Sequence, residues 1–150
     1  MSEDEHSAAP LTLPTTSLAA GLARRHIARI GASWPADLRD LALLLTSELV
    51  TNALRYGNGG IRLTVRQTPH ALRVEVHDAN PDAPRLSRNL GGTAEQGRGL
   101  HIVDSLAACW GHTPSADPVG KTVWFELHGL TDPTVTRTDP PRSARLPVDG

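Results

Sequence analysis

The chain has 150 residues, of which 39% are hydrophobic, and this is enough for one domain with a substantial core. Its net charge is −1 and no basic stripe appears, so direct nucleic-acid binding is not expected. No run of roughly 18 uncharged apolar residues occurs, which argues against a membrane span, and the acidic N-terminus is unlike a signal peptide. The single cysteine, Cys109, excludes an internal disulfide and favours a cytoplasmic protein in which this thiol is a small buried hydrophobe.

The folded unit is predicted to cover residues 10–130. Residues 1–9 are polar and acidic, and residues 131–150 are rich in Pro, Thr and Arg but poor in apolar side chains. Both segments are predicted to be disordered because neither has enough apolar surface to pack.

Two helices are predicted at the start of the folded unit. The first runs from Thr15 to Ile30. Its residues available for the core are Leu18, Leu22, Ile27 and Ile30. The second begins at Pro35, which suits a first helical turn, and runs to about Tyr56, where Gly57 would stop it.

The periodicity then changes from helical to alternating. The alternation of apolar and polar residues predicts the two strands of a hairpin, over residues 61–66 and 72–77. Residues 80–96 follow as a long loop of the kind that often serves as a lid or binding element. A helix over 99–108 and strands near 108–112 and 122–128 complete the unit. This order predicts an α/β two-layer sandwich, with helices packed on one face of a mixed sheet.

Two polar residues interrupt the apolar face of the second predicted helix. At about 100° per residue, Glu48 and Asn52 fall inside its apolar arc. An unpaired buried carboxylate or amide costs at least about 1–3 kcal/mol, so some partner is required. One interpretation is an internal ion pair of Glu48 with an arginine. The other is a polar cleft where both side chains face a ligand or metal ion, with Arg55 adding positive charge.

The sheet contains a similar anomaly at Asp78, which has the parity of the buried residues of its strand. It is either a turn residue before Asn80 or a buried acceptor for a ligand donor such as an exocyclic amine. Further on, QGRGLHIVD places two glycines around Arg98 where a loop enters a helix. This is either a helix cap or a phosphate seat, since exposed N–H groups and the helix dipole favour anions there. In this order, the elements describe a nucleotide site.

Four segments resemble the GHKL ATP-binding superfamily, the fold shared by gyrase, histidine kinases and the anti-sigma factor serine kinases. These segments are ELVTNALRYG, VHDANPD, GRGLHIVDSLA and GKTVWFEL. The resemblance covers about residues 10–128. It implies a Bergerat-type ATP-binding fold, with ATP and Mg²⁺ as cofactors.

The resemblance also implies roles for individual residues. Glu48 would be the general base and Asn52 would bind Mg²⁺. Arg55 would approach the phosphates, Tyr56 would pack near the nucleotide, and Asp78 would accept a hydrogen bond from the adenine amino group. VHDANPD resembles the family's first glycine box and GRGLHIVDSLA its second. These two boxes supply the other implied nucleotide contacts, at Asn80, Gly97, Arg98, Gly99 and Leu100.

The sequence departs from the family pattern at three positions. Asn80 and Asp82 stand where the first glycine box usually has glycine. Lys121 stands where relatives often have a threonine that helps to hold the base. Asparagine tolerates the left-handed conformation that glycine adopts, so Asn80 is acceptable, whereas Asp82 is expected to weaken nucleotide affinity. The role of the threonine is not carried over to Lys121.

Within the superfamily the chain is most similar to the anti-sigma factor serine/threonine kinases. It leaves no room for the dimerisation helices of a histidine kinase or the transducer domain of gyrase. The branch implies phosphorylation of an anti-anti-sigma (STAS-type) partner, binding of a sigma factor and a homodimer. The alternative is a non-catalytic ATP-binding interaction module that sequesters a protein partner. A further alternative is that Glu48, Asn52 and Asp78 form a polar core network without a nucleotide site.

Overall fold

The computed structural model describes residues 6–56, 59–84 and 98–129 of the chain. In chain order the elements are β1 (His6–Ser7), β2 (Leu11–Leu13), α1 (Ala19–Ile30), α2 (Ala36–Tyr56), β3 (Ile61–Gln67), β4 (Ala71–Asp78), α3 (Arg98–Leu106), β5 (Cys109–Ala116) and β6 (Val119–His128). No helix in this part of the chain has both the length and the apolar content that crossing a membrane requires.

Helix α1 begins later than predicted and buries a different face. Its fully buried residues are Ala19, Ala23 and Ile27, which follow one another at intervals of one helical turn. Leu18 and Leu22 were predicted to enter the core, but their side chains are 67% and 38% exposed. Ile27 is buried as predicted, whereas the other fully buried positions of α1 are occupied by Ala19 and Ala23 in place of the two leucines.

Helix α2 has the predicted extent, from Ala36 to Tyr56. The carbonyl of Pro35 accepts the first helical hydrogen bond, from the N–H of Arg39 at 2.9 Å. Because proline has no N–H to satisfy, it suits this position at the start of a helix. The helix contacts both other helices and strands β3, β4 and β6, so it connects the two layers of the fold.

The sheet has the strand order β1-β3-β4-β6-β5, and β2 also pairs with β3. Every pair in the described ranges is antiparallel. Strands β4 and β5 therefore run in the same direction with β6 between them, and α3 lies on the connection from β4 to β5. In this register Asp78 at the end of β4 lies opposite Lys121 near the start of β6. Strand β5 ends the strand order, and its Pro114 is also paired with Lys121.

The core lies between the helices and one face of this sheet. The buried apolar residues of β3, β4 and β6 are Ile61, Leu63, Val65, Leu72, Val74, Val76, Val123, Phe125 and Leu127. Fully burying a side chain of this kind contributes roughly 1.5–3 kcal/mol. The alternating pattern therefore fixes which face the helices cover, and the predicted two-layer α/β sandwich is confirmed.

The opposite face of the sheet carries charged and polar side chains. The Arg73 guanidinium lies 3.0 Å from Glu75 and 3.1 Å from Glu126, and 3.9 Å above the ring of Trp124. The thiol of Cys109 donates to Glu126 at 3.3 Å. Burial, followed by the neighbouring Glu126 carboxylate, raises the pKa of Cys109 to about 12, so this buried thiol stays protonated and unreactive.

The N-terminal segment differs from the prediction of disorder over residues 1–9. His6 and Ser7 pair with β3 as a two-residue strand, and Leu11–Leu13 form a second short strand on the same partner. Neither strand is long enough to show a sequence period. Residues 1–5 and the predicted disordered tail over 131–150 lie outside the described residues, as does most of the predicted loop over 80–96.

Candidate functional site

Glu48 and Asn52 lie one turn apart on α2, where both side chains are half-buried. The buried arc of α2 includes Ala42, Thr46 and Val50, and so its centre is rotated away from these two residues. Glu48 and Asn52 were predicted to lie inside the apolar arc of α2, but they lie at the edge of the buried arc. Such a position limits their desolvation and leaves them open to a ligand on one side.

Neither polar side chain has a partner within the described protein. No hydrogen bond or ion pair joins Glu48 or Asn52 to another side chain in the described ranges, so the predicted alternative of a Glu48–arginine ion pair is absent there. Burial raises the pKa of Glu48, with no cation to oppose the effect. A carboxylate and an amide thus stand side by side with unused hydrogen-bonding capacity.

Asp78 is in the opposite situation, because it is 1% exposed and has two partners. Its Oδ1 accepts a hydrogen bond from the N–H of Asn80 at 2.9 Å and from Nζ of Lys121 at 3.0 Å. The Lys121 Nζ also donates to the carbonyl of Asn80 at 3.1 Å. Asp78 is therefore a turn residue, as one interpretation of the sequence held, because its Oδ1 accepts the hydrogen bond from Asn80. Its carboxylate also forms a buried ion pair with Lys121.

Lys121 is a residue of this region that sequence reasoning did not assign to the site. It is 2% exposed and has the same parity on β6 as the buried Val123 and Phe125. The signal was visible in the sequence, since the chain's only lysine stands at the first position of an otherwise apolar row. A buried lysine requires a partner of opposite charge, and β4 supplies one at Asp78.

Gly120 allows strands β4 and β6 to approach at this point. A Cβ added at Gly120 would overlap the backbone carbonyl oxygen of Asp78, and its φ of +157° is also one that other residues rarely adopt. The glycine therefore keeps Asp78 and Lys121 in register.

The first glycine box uses no left-handed backbone in its described part. Neither Asn80 nor Asp82 has a positive φ. Instead the side-chain oxygen of Asn80 accepts from the N–H of Asp82 at 2.9 Å. Asparagine and aspartate are thus accommodated by turn hydrogen bonds, without the conformational freedom of glycine.

The remaining predicted nucleotide contacts are described in part. Arg55 is exposed in the last turn of α2 and makes interactions of its own, while Leu100 is buried in the first turn of α3. Gly97 lies outside the described residues, as do the side chains of Tyr56 and Arg98, and Gly99 is described only as part of α3. At the level of elements, α2, which carries Glu48 and Asn52, contacts β4 and also contacts α3.

Cavities of the described structure also occur away from these residues. Grooves of about 610 and 480 Å³ lie along α1 near Leu22 and Arg25, and one of about 330 Å³ lies on the charged sheet face near Arg73. None of these three includes Glu48, Asn52 or Asp78. We identify the candidate site by the chemistry of its side chains and not by these grooves, although the groove of about 480 Å³ includes the unpartnered Nε2 of His26.

The donor set near α2 fits a magnesium ion held together with a ligand. Within the described ranges no three His, Cys, Asp or Glu side chains are close enough to form a metal site of their own. Magnesium prefers oxygen ligands and is usually held by one or two protein groups, with phosphates and water completing the shell. The unpartnered amide oxygen of Asn52 can supply one such ligand.

Comparison with known protein families identifies the type of domain. Residues 10–127 match the family model described as histidine kinase-like ATPase domain. A search of curated proteins gave no match. The matched range runs from β2 into β6 and includes Glu48, Asn52, Asp78 and Lys121.

Proposed function

The chain belongs to the family of histidine kinase-like ATPase domains, and on this premise we propose that it binds Mg-ATP between α2, the end of β4 and the start of α3. The observation that carries the proposal is the pair of half-buried side chains, Glu48 and Asn52, that have no partner in the described protein. Both side chains are half-buried and not closed off from solvent, so a bound ligand would reach them and supply the hydrogen bonds that the described protein does not.

In this proposal Asn52 holds Mg²⁺ through its amide oxygen. Bound Mg²⁺ would neutralise charge on the phosphate oxygens. Asp78 and its neighbours hold the base, and the N–H groups that begin α3 face the phosphates, as a helix start favours. Asn80 contributes through its backbone, which fixes Asp78 and Lys121.

We further propose that the domain is a protein serine/threonine kinase in which Glu48 is the general base. The hydroxyl oxygen of a partner's Ser or Thr would bond to the γ-phosphorus while the bond to the ADP oxygen breaks, and its proton would pass to Glu48. The raised pKa of Glu48 makes its carboxylate a stronger base than an exposed glutamate. The partners proposed from the resemblance are an anti-anti-sigma (STAS-type) protein as phosphoacceptor and a sigma factor, with the kinase as a homodimer.

The second candidate is an ATP-binding module without transfer activity. The observation that favours it is the buried Asp78–Lys121 pair next to a first glycine box that has Asn80 and Asp82 in place of glycine. A box of this kind is less suited to a lid that excludes water during transfer. Binding and transfer therefore have to be measured separately.

The test is calorimetric titration of the full chain with ATP, with and without Mg²⁺, followed by transfer of labelled γ-phosphate to an anti-anti-sigma protein. We expect Asn52→Ala to lose Mg²⁺-dependent binding. We expect Glu48→Ala to keep ATP affinity within about threefold and to lose transfer by a factor of about 100 or more. The matched control is Thr51→Ala, since Thr51 is exposed on the same helix turn.

Each outcome separates the candidates. Binding without transfer by the wild type supports the module, and transfer that survives in Glu48→Ala contradicts the role of this residue. If neither ATP nor Mg-ATP binds the wild type, the nucleotide site itself is rejected.

A further inference from the structure

We propose that Lys121 reads the adenine base directly, as a hydrogen-bond donor to ring nitrogen N1, beside Asp78, which accepts from the amino group. The inference rests on the proposed function and extends it, because it adds a specificity-determining residue at the position where relatives often have threonine. It starts from the hydrogen bonds that the buried pair leaves unused.

The ammonium group of Lys121 has one N–H left over. Of its three N–H groups, one donates to Oδ1 of Asp78 at 3.0 Å and one to the carbonyl of Asn80 at 3.1 Å. No third acceptor for this ammonium is found among the described residues. The side chain is 2% exposed, so bulk water has little access to the remaining donor.

The carboxylate of Asp78 has one oxygen left over. Its Oδ1 accepts from both Asn80 and Lys121, while Oδ2 has no hydrogen-bond partner in the described part of the chain. The pair thus presents one donor and one acceptor a few ångströms apart.

This donor–acceptor pair is complementary to one edge of adenine. On that edge the exocyclic amino group is a donor and the adjacent N1 is an acceptor, so Oδ2 of Asp78 can accept while Nζ of Lys121 donates. Bases whose N1 carries a hydrogen present a donor where adenine presents an acceptor. A buried site built to hydrogen-bond one pattern discriminates strongly against the other, because mismatched groups are left unpaired.

Burial strengthens the two contacts. Both residues are at most 2% exposed, so a base that reaches them binds where water screens little. The positive charge of Lys121 and the negative charge of Asp78 cancel, so the part of the site that contacts the base has no net charge. The neutral base therefore meets a neutral pair.

The first experiment uses the wild-type full chain and nucleotide analogues. Dissociation constants are measured by calorimetry with Mg²⁺ for ATP, for 1-deaza-ATP, in which N1 is replaced by C–H, and for GTP and ITP. We expect 1-deaza-ATP to bind at least about tenfold more weakly than ATP, as for a lost hydrogen bond to a charged donor. Equal affinity for ATP and 1-deaza-ATP, or tighter binding of GTP or ITP, overturns the inference.

The second experiment asks whether Lys121 is the donor. In Lys121→Met the penalty for 1-deaza-ATP should disappear, so that both nucleotides bind equally. If Lys121 only positioned Asp78, its substitution would lower the affinity for ATP and for 1-deaza-ATP alike, and the ratio of the two dissociation constants would not change. The control is Thr122→Val, since Thr122 is the next residue of β6 and bonds His77 on the opposite sheet face, and this variant should keep the full penalty.

Removal of Lys121 leaves Asp78 buried and unpaired, which endangers folding. The double variant Asp78→Asn/Lys121→Met removes both charges and is measured in parallel. We expect it, too, to bind ATP and 1-deaza-ATP equally well. A penalty that persists in either folded variant overturns the inference. If no nucleotide binds the wild type, the proposed function fails and the inference fails with it, whereas equal binding of ATP and 1-deaza-ATP overturns the inference alone.

Discussion

At the scale of single residues, two kinds of buried polar group are found near the candidate site. Glu48 and Asn52 are half-buried without partners, whereas Asp78 and Lys121 are almost fully buried and satisfy each other. The first kind is partly open to solvent and available to a ligand. The second kind, the Asp78–Lys121 pair, needs no ligand for its stability, although one N–H of Lys121 and Oδ2 of Asp78 have no partner in the described protein.

The partial burial of Glu48 predicts a pH dependence of stability. Because its pKa is raised above the ordinary 4.5, the native protein retains this proton at pH values where the unfolded chain has lost it. The native state then binds more protons, so this residue's contribution falls as pH rises from about 4.5 through the native pKa. Glu48→Gln removes the effect.

The measurement is urea unfolding of both proteins without nucleotide or metal, between about pH 4 and pH 8. The stability of Glu48→Gln relative to wild type should increase through this window and then level off. A difference that is constant with pH would contradict the raised pKa. Thr51→Ala should show no such dependence.

At the scale of elements, the pairing of β4 with β6 determines the base end of the site. Asp78 and Lys121 are opposite each other in this register, and Gly120 allows the backbones to approach. The ion pair is therefore a property of two strands that are far apart in sequence.

Gly120→Ala should destabilise the protein by about 1–3 kcal/mol, because its Cβ would overlap the Asp78 carbonyl and force the strands apart. ATP affinity should fall with it, since Asp78 and Lys121 would move. Gly21→Ala is the control, because Gly21 is exposed in α1 with no atom closer than 3.9 Å to the added Cβ. It should raise stability by about 0.5–1 kcal/mol.

Denaturant unfolding and ATP titration of the two variants provide the measurement. Equal stability of Gly120→Ala and wild type would show that the strands tolerate a side chain there.

The sequence was sufficient to predict the elements with strong periods. The alternation over β3 and β4 and the long apolar pattern of α2 gave these elements within a few residues. Strands β1 and β2 were missed because two or three residues contain no period, and they form only by pairing with β3. In α1 the size of Leu18 and Leu22 was misleading, since Ala19 and Ala23 occupy the buried positions.

The candidate site was predictable as a set of residue types and not as a set of contacts. The unusual positions of Glu48, Asn52 and Asp78 could be read from helical and strand periods. The partner of Asp78 could not, because it depends on the register between β4 and β6. Lys121 was noted only as a departure from the threonine of relatives.

At the scale of the whole molecule, the proposed ligand would link the two layers. Helix α2 contacts the sheet and α3, and β4 and β6 hold the base end. A ligand held by α2, β4 and α3 at once would therefore stabilise the domain as a unit.

This predicts stabilisation by Mg-ATP of about 2.7 kcal/mol at a concentration of about 100 times its dissociation constant. Thermal unfolding followed by circular dichroism measures it, with Mg²⁺ alone and ATP alone as references. In Asn52→Ala the increment due to Mg²⁺ should be lost. If Mg-ATP does not change the unfolding temperature of the wild type, the proposed nucleotide site is contradicted.

The outer strand β5 has a consequence for assembly through its Pro114. Proline lacks the N–H that a neighbouring strand would need, and in sheets it occurs at edges with that position turned outward. A strand from another molecule laid against β5 would lose a backbone hydrogen bond at that point. Edge-to-edge pairing of two sheets is therefore disfavoured along β5 at this proline.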